Sequence, residues 1–456
     1  MFLLADYDFK ANLHIFRFQK TNIVMDVNSG AIHLVDDVAY ALLENLTACQ
    51  GDLERAAALC EGKFPSEQVA EAVREIKAAY EEESLFTKDE DIDFDWLEIP
   101  VKALCLNIAH TCNMRCTYCF AEQGNFGLRE ALMSAATGRQ ALDFLIARSQ
   151  GIKHLEVDFF GGEPLLNLDM MKEMVRYGRE KEISEGKKFN FTLTTNALLL
   201  DSKVMDWVIE NDISVILSLD GREEVNDRHR ILADGQGSYG KIVPHIKEMV
   251  ARNPVSYYVR GTFTRNNLDF SNDLKHLIEL GFDAISLEPA VGQNDLAIKQ
   301  EDLPRVLEEY ERLTLLLLDY YKKGNRIQFF HYDLNLQQGP CIAKRCSGCG
   351  AGCEYLVVTP GGDIYPCHQF IGEDGFYMGN VSDGKIDRKI VDRFRHNRLK
   401  DKECRFCWAR YFCGGGCHAA ALHAGGDMST PDRVACTMQQ KRIENAIYLD
   451  FMKRSK

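Results

Sequence analysis

Sixteen cysteines in 456 residues are gathered rather than scattered: Cys112, Cys116 and Cys119 stand together, ten lie between Cys341 and Cys436, and only Cys49, Cys60 and Cys105 stand alone. Thiols at such density are either a disulfide framework or metal ligands, and the compartment decides between them. The N-terminus, Met1-Phe2-Leu3-Leu4-Ala5-Asp6, meets an acidic residue at once and shows neither a basic region nor a small-residue cleavage site. No export signal is read there, so the expected location is the cytoplasm and the thiols are read as ligands. No apolar stretch reaches the roughly 20 residues of a membrane helix, and no membrane partner is expected. A formal net charge of −14 argues against nucleic acid as a partner, because neutralising phosphates takes clustered Lys and Arg. The three isolated cysteines fall within helix or strand patterns and read as small buried apolar groups. His154, His245 and His276 likewise read as surface or packing residues.

The length allows two or three domains with separate cores. Residues 1–90 open with short alternating apolar runs at Leu13–Phe18, Asn22–Val27 and Ala31–Val35, with Asn28-Ser29-Gly30 as a turn. Helical patterns come next at Val38–Leu46, Leu53–Leu59 and Glu67–Glu83, with Ser66 as N-cap. This β-β-β-α-α-α order is winged-helix-like. With 8 Lys and Arg against 17 Asp and Glu, it suits DNA poorly. An acidic linker, Lys88 to Asp95, separates this module from the rest of the chain.

From residue 91 to about 300 the pattern alternates apolar strands with helical segments. The strands are Ala103–Ala109, His154–Phe160, Phe189–Thr195, Ile213–Leu219, Ser256–Phe263 and Ala284–Glu288; Met170–Lys181 and Asn272–Leu280 are among the helices. Six βα units predict an α/β fold, a partial (β/α)6 barrel. Its chemistry belongs at the strand C-terminal ends. These carry the Cys112–Cys119 loop, Gly161-Gly162-Glu163-Pro164, Thr194-Thr195-Asn196 and Ser218-Leu219-Asp220-Gly221. A bridging region, 301–340, with a helix at Leu303–Lys322, leads to the cysteine-dense 341–456. There long periodic elements vanish until a last helix, Met438–Met452, and ligation is expected to hold the fold.

Three cysteines spaced C-x3-C-x2-C can hold three corners of a 4Fe–4S cubane and leave the fourth iron open. Structural zinc would need a fourth protein ligand, and none lies downstream at usual spacing. The stretch Cys112-Asn113-Met114-Arg115-Cys116-Thr117-Tyr118-Cys119-Phe120, continued by Gly161–Pro164, resembles the signature of the radical S-adenosylmethionine (SAM) superfamily. The resemblance implies that the open iron chelates SAM, whose reductive cleavage gives a 5′-deoxyadenosyl radical. It further implies that Glu163 and the Gly161, Gly162 and Pro164 backbone hold the methionine amino group. Tyr118 and Leu287 would border the adenine, and Ser218, Asp220 and Arg230 would contact ribose or carboxylate. On their own, Ser218 and Asp220 read equally well as turn-formers or caps.

Cys346…Cys353-x8-Gly362-x4-Cys367…Cys404-x2-Cys407-x5-Cys413-x3-Cys417-x18-Cys436 resembles the SPASM domain, which carries two auxiliary 4Fe–4S clusters. By that resemblance Cys404, Cys407, Cys413 and Cys436 take the distal cluster. Cys367 and Cys417 take the nearer one, with two upstream cysteines. Cys346 and Cys353 suit the family spacing, but Cys341 and Cys349 are also present and the upstream pair stays open, as does a cluster with only three protein ligands. Three 4Fe–4S clusters and SAM are thus the expected cofactors.

A winged-helix-like module ahead of such a barrel resembles the leader-recognition element of ribosomal peptide maturases, which adds an extended peptide to a sheet edge. The whole chain resembles the thioether-forming maturases of cysteine-rich SCIFF peptides, including Gly350-Ala351-Gly352-Cys353-Glu354-Tyr355 and Ile364-Tyr365-Pro366-Cys367-His368-Gln369. The implied reaction joins a cysteine sulfur to a carbon after hydrogen abstraction, the thiolate resting on an auxiliary cluster that takes the surplus electron. Implied partners are a cysteine-rich precursor peptide, its leader on the N-terminal module, and an electron donor such as flavodoxin or ferredoxin. The anaerobic sulfatase-maturing enzymes, which make formylglycine, are the alternative. They place Asp as a base directly after the cysteine matching Cys367, where this chain has His368. A non-catalytic electron-transfer protein would leave Gly161–Pro164 without purpose.

Overall fold

The structure, a computed structural model, describes residues 2–89, 100–290, 292, 294–337 and 342–454. Most of the acidic linker and Cys341 lie outside them.

At the N-terminus β1 (Leu13–Phe18), β2 (Thr21–Asp26) and β3 (Ile32–Val35) form an antiparallel meander. Helices come after it at Asp37–Ala48, Leu53–Cys60 and Ser66–Glu81. Asp36 and Asp52 cap the first two through side-chain oxygens that accept from the third amide along. Ser66 is not the N-cap of the third: Pro65 holds that position with extended backbone, and Ser66 is the first helical residue. Proline lacks only an N–H that the helix end would leave unpaired. One helical turn, Phe9–Asn12, precedes β1 and is too short to show periodicity in sequence.

Alternation gives this small sheet two apolar faces. Leu13 and Val24 pack on the module's own helices around Leu42, Leu46 and Ile76. Phe16, Phe18, Ile23 and Met25 join the main core, with Phe18 stacked on Tyr448 at 4.1 Å between centroids. Each fully buried side chain of this size is worth about 1.5–3 kcal/mol. The module therefore sits firmly on the C-terminal helix, Arg433–Arg454.

β4 (Ala103–Ala109), β5 (His154–Gly161), β6 (Lys188–Thr195), β7 (Ser214–Ser218), β8 (Tyr257–Phe263) and β9 (Ala284–Pro289) pair parallel in sequence order. Leu155, Val157 and Phe159, with Phe189, Phe191 and Leu193, are buried, and Phe191 presses on Gly178 of the helix Leu168–Glu185. The alternate residues, Asp158, Phe160, Thr192 and Thr194, line the opposite, inner face. The sheet stays open and is longer than the six-unit expectation. β10 (Gln328–Phe329) adds beside β9, and β11 (Tyr355–Val358) adds parallel to β4, continued antiparallel by β12 (Asp363–Tyr365) and β13 (Gly379–Asn380). The cysteine-dense region, expected to lack long periodic elements, supplies these short strands and so extends the barrel sheet. The helix Leu303–Lys322 packs against Arg433–Arg454, with the Arg442 guanidinium donating to the Tyr310 hydroxyl at 2.8 Å.

Candidate active site

The loop after β4 is fastened to the segment after β7. The Arg115 amide donates to Ile231 O at 2.8 Å and the Thr117 amide to His229 O at 3.0 Å. The Thr117 hydroxyl and His229 Nδ1 lie 2.7 Å apart. So held, Cys112, Cys116 and Cys119 become mutual electrostatic neighbours. Burial pushes the Cys112 thiol up to about 12, against the Met114 amide that donates to its sulfur. The Asn196 side-chain Nδ2, just after β6, approaches that sulfur at 3.7 Å and donates to Asn113 Oδ1 at 2.8 Å. A thiol held neutral by burial becomes a thiolate once a metal takes the proton's place, so the donor set suits iron.

The loop after β5 is built by close backbone approach. A Cβ on Gly162 would meet Thr111 O at 2.1 Å, and one on Gly161, at φ +127°, would meet Ala109 O at 2.4 Å. Only glycine fits either place. Glu163 is then fully buried. Its carboxylate accepts from the Thr195 hydroxyl at 2.8 Å, the Asn196 amide at 2.8 Å and the Leu165 amide at 3.1 Å. Burial raises its pKa and those donors oppose the rise. The Thr194-Thr195-Asn196 turn thus orients both Glu163 and Cys112, a role its sequence did not disclose.

At the end of β7, Asp220 is engaged on both oxygens: the Tyr118 hydroxyl donates at 2.7 Å and the Thr262 amide at 3.0 Å. Arg230 Nη1 donates to the same tyrosine oxygen at 3.1 Å. Asp220 therefore positions Tyr118. Arg230 Nε and Asn113 Nδ2 are buried with no protein partner among the described residues, which leaves two donors for a bound polar ligand. Ser218 ends β7 opposite Arg260 of β8, and Leu287, buried in β9, lies beside Gly261. Pro164 begins the short turn that carries the chain onward from Glu163.

The C-terminal thiols form two sets. Cys436 has Cys413, Cys404 and Cys407 as its neighbours, and burial with their proximity pushes it up to about 12. Cys367, pushed up to about 12 mainly by burial, has Cys417 and Cys349 beside it. Cys349 also faces Cys417, and Cys353 faces Cys349. Cys349 is thus an upstream cysteine that the structure brings near Cys367 and Cys417, in addition to the Cys346 and Cys353 that the family spacing favours. Cys346 lies on the helix Ile342–Ser347. His368 stacks on Phe160 of β5 at 5.0 Å and meets Phe120 of the cysteine loop in a tilted contact at 5.3 Å. Burial lowers its pKa to about 4, leaving it neutral.

Of the isolated cysteines, Cys49, Cys60 and Cys105 are all buried. His245 bonds the Ala197 carbonyl and His276 the Tyr239 hydroxyl.

A partial barrel with three cysteines at one strand end and further cysteines in the C-terminal region has the thiol distribution expected of an iron–sulfur protein. Residues 106–269 match the Radical SAM superfamily and residues 349–408 the SPASM iron-sulfur cluster-binding domain. The chain therefore contains a radical SAM domain and, C-terminal to it, a SPASM domain. It is 25% identical over 338 residues, 70% of this chain and 89% of the relative, to a cysteine-type anaerobic sulfatase-maturating enzyme of Clostridium perfringens. It is 26% identical to the mycofactocin maturase MftC of Mycolicibacterium smegmatis, over 74% of this chain and 82% of that one. Its fold resembles that of Streptococcus suis SuiB bound to its precursor peptide SuiA, with a TM-score of 0.54 and 16% identity, over 93% of this chain and 98% of that one. No helix among the described residues is long and apolar enough to cross a membrane.

Proposed function

We propose that this protein is a peptide maturase that forms thioether crosslinks between a cysteine sulfur and a carbon of a cysteine-rich precursor peptide. The observation that carries the reading is the contact of His368 with both Phe160 and Phe120. It ties Cys367, a ligand of the nearer auxiliary cluster in this reading, to the mouth of the barrel beside the Cys112–Cys119 loop. A peptide entering there meets both chemistries at once.

SAM bound at the open iron supplies the hydrogen-abstracting radical. Cys112, Cys116 and Cys119 hold the first cluster. Glu163 takes the methionine amino group, its carboxylate aimed by Thr195 and Asn196, while Gly161, Gly162 and Pro164 bring the backbone close. Tyr118 and Leu287 border the adenine, and Arg230 with Ser218 meets ribose or carboxylate, their line held by Asp220. Cys404, Cys407, Cys413 and Cys436 hold the distal auxiliary cluster; Cys349, Cys367 and Cys417, with Cys353 or Cys346, hold the nearer one. The N-terminal module offers the edge of β3, one of the two outer strands of its sheet, to a leader peptide. A small acidic donor such as flavodoxin or ferredoxin delivers electrons.

Sulfatase-type maturation is the second reading, favoured by the similarity to the clostridial enzyme. His368 stands where that chemistry places a carboxylate base, and a neutral imidazole in contact with two aromatic rings does not replace it. Reconstituted enzyme, incubated anaerobically with reductant, SAM and a cysteine-rich precursor peptide encoded beside it, should return a peptide lighter by two hydrogens per crosslink and protected from thiol alkylation. A product with as many alkylatable cysteines as the substrate would refute thioether formation.

A further inference from the structure

Lys402 is 5% exposed, two residues before Cys404, and no carboxylate forms an ion pair with it among the described residues. A buried ammonium is costly unless negative charge lies close. The groups its charge meets are the thiols of Cys404 and Cys413, then the Asp427 carboxylate, and then the Cys349 thiol. The Asp427 carboxylate is already engaged by Ser429 and Thr430. His418 is the other titratable neighbour, and its burial holds it neutral.

Backbone geometry fixes the position. A Cβ built on Gly415 would lie 3.6 Å from Lys402 Nζ. Gly415 sits midway between Cys413, of the distal thiol set, and Cys417, of the nearer one, in the run Cys413-Gly414-Gly415-Gly416-Cys417. At φ +88° and without a side chain, it leaves room for the ammonium at the seam between the two sets.

We propose that Lys402 is the shared counter-cation of the two auxiliary iron–sulfur clusters, a positioning residue whose buried charge raises the reduction potentials of both. The inference rests on the two-cluster reading of the SPASM domain. A cluster held by thiolates is an anion and gains a further negative charge on reduction. A fixed cation in a low-dielectric seam therefore favours the reduced form, and favours it in both clusters because it lies against both thiol sets.

The test uses the full-length protein carrying Cys112→Ala, Cys116→Ala and Cys119→Ala, which isolates the auxiliary signals, read by electron paramagnetic resonance during redox titration. Iron and sulfide counts establish loading first. Lys402→Met should lower both midpoint potentials by at least the equivalent of a tenfold change in oxidised-to-reduced ratio, about 59 mV for one electron. Lys402→Arg, which keeps the charge, should restore them. Two loaded auxiliary clusters whose potentials are the same in Lys402→Met and its parent, or a shift in one cluster alone, would overturn the proposal while leaving the SPASM reading intact. A parent protein that loads only one auxiliary cluster would overturn both. Should Lys402→Met fail to load, Lys402→Gln carries the same expectation.

Discussion

At the residue scale the site is governed by what cannot be replaced. Gly162→Ala would drive a methyl group into Thr111 O and Gly124, both backbone. Neither can yield without moving the cysteine loop, so SAM cleavage to deoxyadenosine should fall at least about a hundredfold, the cost of misplacing reacting groups by an ångström. Gly151→Ala, where a Cβ meets nothing within 4 Å, should leave it unchanged and serves as the control. Equal losses in both would contradict the close-approach account. Asp158, on the inner face of β5 between Cys105 and Thr192, makes a separate prediction. Burial, helped by Glu156 and opposed by the Thr192 hydroxyl, raises its pKa to about 6. The native carboxyl binds its proton more tightly than the unfolded chain's, near about 3.9. Stability is therefore lost as pH rises from about 4 to about 6 and stays lower above that. Asp158→Asn should raise the thermal midpoint at pH 7.5 by about 1–2 °C, and by less at pH 5.5. A larger gain at the lower pH would show the sign to be wrong.

At the element scale the docking of the N-terminal module turns on Arg410. It is buried, and its guanidinium donates to Ala11 O at 2.6 Å, Asn12 Oδ1 at 2.7 Å and Asn28 Oδ1 at 2.6 Å. Nearby, His14 stacks on Trp408 with centroids 3.5 Å apart. Arg410→Met leaves three acceptors unpaired and should cost on the order of 3 kcal/mol. Hydrogen exchange should quicken in β1–β3 while β4–β9 keep their protection, and uniform protection would show that Arg410 does not fasten the module. What sequence disclosed at this scale depends on element length. β4 to β9 and the helix Leu303–Lys322 were legible to within a residue or two because long apolar runs carry period 2 or 3.6. β10 to β13, two to four residues each, carry too few side chains to show a period. Ser66 looks like a cap by residue type, and only the backbone of Pro65 reveals the true boundary.

For the whole molecule, the parallel pairing of β11 with β4 welds the cysteine-dense region to the barrel. Lys102 and Glu354, side by side at 2.9 Å, come from segments far apart in the chain. No local pattern encodes such a register, so the sequence disclosed both regions and their chemistry but not their continuous sheet. For the same reason the spacing that favours Cys346 and Cys353 did not disclose Cys349: membership of a thiol set is decided by where Cys367 and Cys417 arrive, not by spacing. The single-chain sheet also relates the two cysteine regions, since the Cys112–Cys119 loop follows β4 and Cys367 follows β12 of the same sheet. Incubation of the reconstituted enzyme with reductant, SAM and a precursor peptide deuterated at its carbons tests the proposed thioether formation most directly, reading 5′-deoxyadenosine and peptide together by mass spectrometry. Deuterium in the deoxyadenosine matched by a thioether in the peptide is the expected result; deoxyadenosine free of deuterium, or a peptide bearing a hydrazine-reactive aldehyde and no thioether, would contradict it.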